Sequence, residues 1–580
     1  MKNPIFRISA YLFRYKSMFG LTLLLAIGTT TFSLSVPKVI QRAIDKVVSS
    51  SDYEIAIHAA VIMLVCYFGR DFLNFLRIRV NNTLEQRVLI DIRKDLHAKL
   101  MALPISFYDR RKSGDIASRV IDDVNNVERA LLDGTEQGVT ALLMIVGVTT
   151  MLFLMNPMLA ALILVPLPIV IFMGINHATK TRINHKRVRE TSGEMNSLLV
   201  EDIQANRLIQ SFALQGRESG RFSNIAHELR KRTLKVMWRW SIYNPSTTYI
   251  SSFGLVAVVG YGGYLLSNQQ ITAGEFVAFF AYATMVYEPL ARLHQLNHML
   301  AAGKASGERV FEMLDHPVEI ENPEKPQPFV DSVRSIEYKT VDFAYPERPE
   351  VLQQFGLKLN AGDVTALVGH TGAGKSTVAN LLLRYYDVTS GGVEINGIDV
   401  RDFALEDLRS HIAYVAQEPF LFDGSVRDNM LLANENATEE ELIKALSSAK
   451  AWGFVEKLPD SLDTLIGERG IRLSQGEKQR LTIARIMLRD PQIIILDEAT
   501  SSVDTETEKQ IQEALDALMK NRTVLIIAHR LSTIRHADNI VCLEHGKIIE
   551  QGTHEDLLRR DGQYSKLWQI QADVMPAEYA

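Results

Sequence analysis

The chain is 580 residues long, more than one compact domain usually holds. A net charge of −5 gives no sign of a nucleic-acid partner, and two cysteines are too few for a disulfide framework or a structural zinc site. The 47% hydrophobic content is ordinary, but long apolar runs crowd the first half while the second half reads as a soluble α/β domain.

Lys2, Arg7, Arg14 and Lys16 precede the first apolar run. No small-residue cleavage site follows it, so it reads as a retained membrane helix. A bilayer-spanning helix needs about 20 largely apolar residues. Ser17–Ile40, Ile55–Leu76, Val139–Met155, Leu159–Ile175, Thr247–Ser267 and Ala273–Leu296 satisfy this. The connections at Asn156-Pro157 and Asn268–Thr272 carry no Lys or Arg, whereas Val80–Gln137 and His177–Asn244 are dense in them. The positive-inside rule makes the long segments cytoplasmic and puts both chain ends on that side. Leu84, Val88, Ile92, Leu96 and Leu100 repeat at helical spacing, which predicts one helix from Ile55 to about Leu103, on the order of 70 Å long. Pro104 ends it.

Within the second span, Arg70, Asn74, Arg77 and Asn81 share a helical face. The sixth span carries Glu288, Arg292, His294, Gln295 and His298 at similar or greater depth. Charges at bilayer depth face a cavity or a partner, so Arg70, Asn74, Arg292, His294 and His298 are candidates to line a cargo cavity. Two structural alternatives stand beside this. Arg77 can snorkel to the interface, and Arg70 can pair with Glu288 or another acid. Asp71 is set aside because neighbours one residue apart do not face each other on a helix.

Asp315–Val330 is rich in Pro and charge and reads as a linker. Beyond it, strand-like and helical runs alternate, as in a parallel sheet covered on both faces. The β-like run Val364–Val368 leads into Gly369, His370, Thr371, Gly372, Ala373, Gly374, Lys375, Ser376 and Thr377, which open a helical run. This strand–loop–helix setting suits a phosphate loop, with backbone N–H groups and Lys375 on the phosphates and Ser376 on Mg²⁺. Farther on, an apolar strand delivers Asp497 to a magnesium shell and Glu498 to an attacking water. Ser474 and Glu477 form a capping box at the start of a helix.

Tyr345, the phosphate loop, Gln417, the LSQGE stretch at Leu473–Glu477, Asp497-Glu498, Asp504 and His529 occur in the order seen in ATP-binding cassette (ABC) proteins. With the six spans, Pro104–Arg119 and Thr464–Gly470, the chain resembles the exporter branch of that family over nearly its whole length, including bacterial multidrug and lipid-A exporters. The resemblance implies a six-span α-helical transmembrane domain (residues 1–314) with long cytoplasmic extensions and coupling helices near 120–127 and 208–216. A linker (315–330) would join it to an α/β nucleotide-binding domain (331–575).

It further implies that Tyr345 stacks on adenine, Gln417 touches Mg²⁺, and His529 contacts the γ-phosphate. Ser474 and Gly476 would contact ATP held by the opposite subunit, and Asp504 closes the Ser501–Asp504 stretch, which looks like the family's D-loop. The expected protein is a homodimeric exporter in the bacterial cytoplasmic (inner) membrane. It would use ATP and Mg²⁺ to move an amphipathic drug or lipid, with membrane lipids around it. An ATP-gated channel on this scaffold usually shows degraded catalytic residues or added regulatory segments, and neither is present. A soluble cassette ATPase would lack the spans.

Overall fold

The computed structural model describes residues 4–50, 53–346, 349–467, 470–497, 504–528 and 534–572. They divide into two compact units: one of residues 1–101 and 112–316, the other of 102–111 and 317–580.

The first unit is helical. Five helices among the described residues are long and apolar enough to cross a membrane: Lys16–Ser49, Tyr53–Ala102, Glu136–Met155, Pro157–Gln204 and Gln215–Ser267. The sixth expected span lies in the helix Ala273–Leu314, where the side chains of 290–295, 297 and 298 fall outside the described residues. Much of the apolar surface is not covered by protein: Leu64 and Phe68 are 70% and 71% exposed. A bilayer covers such a surface without cost.

Local chemistry sets the turns. Asn156 caps the helix Pro157–Leu164 by accepting from the N–H groups of Met158 and Leu159, with Pro157 at the first helical position. A Thr272–Glu275 capping box starts the last helix. Where the helices converge, Leu152, Leu159, Ile163, Val258 and Phe279 are fully buried. The hydroxyl of buried Tyr282 donates to Leu34 O at 2.6 Å, which satisfies a polar group where no water competes.

The second helix runs unbroken over 50 residues, Tyr53–Ala102, about 75 Å. Leu84, Val88, Ile92, Leu96 and Leu100 are all buried along its second half, on the one face their spacing predicts. Pro104 is extended, and the chain turns into a short helix, Ile105–Asp109. The segment 120–127, the first expected coupling helix, does not stand apart in the fold. Residues 113–118 form a short helix, and 119–123 make a π-turn that runs into the long helix Val124–Met155, so 120–127 is no separate element. The second expected segment overlaps a short helix, Asn206–Ser211, followed by a turn at Ala213. Below the spans, buried Asp123 accepts from Ser306 Oγ at 2.8 Å and Arg309 Nε at 2.7 Å. Burial raises its pKa and these bonds lower it, with the lowering the larger effect.

The second unit holds two sheets. In one, β1 (Ser335–Ala344), β2 (Glu350–Asn360), β4 (Ser390–Ile395) and β5 (Ile398–Asp399) pair antiparallel in the order β2-β1-β4-β5. In the other, β3 (Val364–Val368), β6 (Ile412–Val415), β7 (Ile493–Asp497), β8 (Thr523–Ile527), β9 (Asn539–Glu544) and β10 (Lys547–Gly552) follow the order β10-β9-β3-β8-β7-β6. All neighbours there are parallel except β10, which pairs antiparallel with β9. The inner strands β7 and β8 are runs of buried Ile, Leu and Val with one polar residue each, Asp497 and Thr523, as suits strands covered on both faces. Burial pushes the Cys542 thiol in β9 up to about 12, so it stays a protonated core residue at neutral pH.

The Pro-rich stretch is not a free tether. From Pro317 to 334 it forms no helix or strand, yet it is fastened to this unit. Asn322 accepts from Leu405 N at 2.7 Å, Gln327 N donates to Asp402 O at 2.8 Å, and Phe329 N donates to Asp407 at 2.9 Å. Residues 102–111 join the same unit. Asp109 accepts from the Tyr386 hydroxyl at 2.8 Å, and Arg110 donates to Pro346 O at 3.3 Å.

Candidate functional site

In open parallel sheets, ligands bind outside the carboxyl ends of the strands. The segments predicted to act on nucleotide leave from those ends. The phosphate loop follows β3, Gln417 lies exposed just past β6, Asp497 ends β7, and Ala528-His529 follows β8. Glu498 and His529 themselves lie outside the described residues.

Glycine is required at two points of the phosphate loop. Gly369 has φ +150°, and a Cβ there would come within 2.2 Å of Leu543 O. Gly374 has φ +104° at the cap of the helix Lys375–Leu382, a left-handed conformation that other residues rarely adopt. Lys375 Nζ donates to Gly369 O at 2.7 Å and His370 O at 3.1 Å, so the ammonium is held over the loop's mouth. Lys375, Thr377 and Ala373 are buried, while Thr371, Gly372 and Ser376 are exposed. His370 contacts the amide of Gln563, 3.3 Å away on the helix Gln563–Ala572.

A loop of backbone donors before a helix N-terminus, with a lysine above it, fits a polyphosphate. An exposed serine hydroxyl and a carboxylate fit a hard, oxygen-seeking cation such as Mg²⁺. Ser376 at the start of the helix, Asp497 at the end of β7 and Gln417 just past β6 are the side chains that would hold such an ion.

Tyr345 is part of an aromatic cluster. Its ring packs edge-on against Phe343 at 4.9 Å and Tyr386 at 5.0 Å, and its hydroxyl lies 3.1 Å from Thr377 Oγ1. Ser474 and Glu477 form the predicted capping box: Ser474 N donates to Glu477 Oε2 at 2.8 Å, and Glu477 N reaches back to Ser474 Oγ. Gly476 is buried in that first turn. Asp504 caps the helix Thr505–Met519 by accepting from Thr507 N at 3.0 Å, a bond that holds its carboxyl below the usual range.

Tyr414 escaped the sequence reading. Its hydroxyl donates to Asp497 Oδ2 at 2.7 Å, and burial together with that bond raises its pKa. Its only sequence signal is a polar-tipped ring in an otherwise apolar strand three residues before Gln417. Asp109 lies in the Pro104–Arg119 stretch, but nothing in the sequence pointed to its contact with the distant Tyr386.

In the membrane unit, Arg70 and Asn74 line a cavity of about 350 Å³ with Asp71, Arg77, Thr29, Ser33 and Glu288. Two expectations need correction. Arg70 pairs with Asp71 after all, its Nε 2.8 Å from Oδ1, because an exposed arginine is long enough to curl back on its neighbour. Arg77 does not snorkel. It pairs with Glu136 at 3.1 Å, both side chains about 15% exposed, and donates to Asn74 at 2.8 Å. The side chains of Arg292, His294 and His298 lie outside the described residues.

Residues 19–290 match the ABC transporter transmembrane region, and residues 352–501 match the ABC transporter domain. The chain is 36% identical over 571 residues to an uncharacterized ABC transporter ATP-binding protein, YknV, of Bacillus subtilis, covering 98% of this chain and 94% of that one. It is 35% identical to an ATP-dependent lipid A-core flippase of Syntrophus aciditrophicus, covering 94% and 91%. It is also 36% identical to a Staphylococcus aureus protein named for multidrug export, covering 96% and 98%. The structure of a bacterial Atm1-family ABC exporter with ATP bound superposes with a TM-score of 0.82 at 26% identity, over 96% of this chain and 98% of that one. The chain therefore belongs to the ABC transporter family, as an ATP-hydrolysing exporter with one helical membrane region fused to one nucleotide-binding domain.

Proposed function

We propose that two copies of this chain form a homodimer in the cytoplasmic membrane that exports or flips an amphipathic drug or lipid, alternating between inward- and outward-facing states. One observation carries the reading. The chain holds a single phosphate loop and a single Ser474-led helix start, while its fold extends over almost the whole of an ATP-bound exporter chain. A second copy supplies Ser474 and Gly476 to complete each ATP site.

Tyr345 offers its ring to adenine, and the loop amides with Lys375 hold the phosphates. Ser376, Gln417 and Asp497 would hold Mg²⁺, which would supply positive charge against the phosphates. Glu498 draws a proton from the attacking water, and His529 contacts the γ-phosphate. Asp504, which caps the helix Thr505–Met519, belongs to the same nucleotide site.

The relatives' names, a lipid A-core flippase and a multidrug exporter, agree with a polar cavity flanked by apolar helix faces. The test is ATP-dependent uptake of a fluorescent amphiphilic drug or lipid into inside-out vesicles, with Glu498→Gln as control. Loss of the base should slow hydrolysis about 10²–10⁴-fold and abolish uptake with ATP binding retained. Flux that proceeds equally without ATP would make the protein a channel and sink the reading.

A further inference from the structure

Asp497 ends β7, and Tyr414 stands in the adjacent parallel strand β6, where it is paired in register with Ile495. Side chains two residues apart on a strand share a face. The Tyr414 ring therefore lies on the same side of the sheet as Asp497, with Asp497 one diagonal step farther toward the strands' carboxyl ends. A long side chain spans such a diagonal. Its hydroxyl closes the gap at 2.7 Å by donating to Oδ2, and Oδ1 is the carboxylate oxygen that this bond does not use. A carboxylate at a strand end otherwise rotates freely about its Cβ–Cγ bond, and only some rotations suit an octahedral cation.

We infer that Tyr414 is a positioning residue for magnesium: its phenol fixes the rotation of Asp497 before the metal arrives. The phenol O–H reaches Asp497 as a hydrogen-bond donor. Tyr414 also leads directly into Gln417, so the strand that orients one metal-shell residue delivers another.

This inference rests on reading Asp497 as a metal-shell residue, and the experiment separates the two. Full-length protein in nanodiscs is titrated with Mn²⁺ in the presence of a non-hydrolysable ATP analogue, and bound metal is read by electron paramagnetic resonance. Tyr414→Phe keeps the ring and removes the donor. It should weaken Mn²⁺ binding about tenfold, the scale of one charge-assisted hydrogen bond. Metal-free nucleotide binding and the thermal midpoint should stay at wild-type values. In an Asp497→Asn background the same change should have no further effect, because the two residues act through one bond.

Wild-type metal affinity in Tyr414→Phe overturns the inference, as do additive losses in the double variant. A parallel loss of metal-free nucleotide binding overturns it too, since Tyr414 would then be a packing residue. If Asp497→Asn itself leaves Mn²⁺ binding intact, the reading of Asp497 fails instead.

Discussion

Tyr386 donates its hydroxyl to Asp109 while its ring leans edge-on against Tyr345. The short helix that follows the second span thus ends on the aromatic cluster proposed to receive adenine. Asp109→Ala and Tyr386→Phe remove the same bond and should behave alike, with no further loss in the double variant. Cargo-stimulated ATPase should fall about tenfold, while the basal rate and the thermal midpoint hold. Additive losses, or a basal rate that falls in step, would show that the bond serves folding rather than coupling.

Sites shared between subunits predict complementation. A chain lacking Lys375 and a chain lacking Ser474 each carry one lesion, on opposite faces of the composite site. In a mixed dimer both lesions fall on one site and leave the other whole. Co-expressed variants should regain ATPase activity that neither has alone. Absence of rescue in mixed dimers isolated by two affinity tags would argue for self-contained sites.

The two arginines of the second span should separate. Arg77 is mostly covered and paired with Glu136, so Arg77→Ala takes the cation from a mostly covered ion pair and should cost about 3–5 kcal/mol, seen as a lower thermal midpoint. Arg70 is more exposed and merely folded onto Asp71. Arg70→Ala should keep the wild-type midpoint and raise the cargo concentration needed for half-maximal ATPase stimulation. A midpoint that drops equally in both variants would make Arg70 structural.

Asp123 predicts a pH dependence. Its pKa is lowered in the folded protein, so its contribution is present above the unfolded value, about 3.9, and fades as pH falls through the folded value. Asp123→Asn should cost about 2 kcal/mol at pH 7. The difference in midpoint between wild type and variant should shrink below about pH 4. A difference constant from pH 7 to pH 3 would mean the carboxylate charge plays no part.

Periodicity and motif order made the long second helix, its buried leucine face, the phosphate loop and the Ser474–Glu477 box legible in the sequence. Each is decided by residues within a few positions of one another. Tyr414–Asp497 and Asp109–Tyr386 were not legible, because strand order and the docking of a distant segment create those contacts. Arg70–Asp71 failed for a different reason. The rule that helix neighbours do not meet concerns Cβ directions, and a guanidinium at the end of a long flexible stem escapes it. The pairing of Arg77 with Glu136 needed the packing of two spans that sequence does not reveal.

Along the second helix Arg70, Asn74, Arg77, Asn81, Leu84 and Val88 follow one another at steps of three or four, so they form a single stripe. The stripe is polar at bilayer depth, where the surroundings are oily, and apolar in the cytoplasmic half, where the surroundings are wet. The two halves are locked in phase by an unbroken backbone without proline. One alanine inserted between Asn81 and Leu84 would turn everything beyond it by about 100°. Whichever half kept its place, the other would be misdirected, with arginine turned toward lipid or leucine toward water.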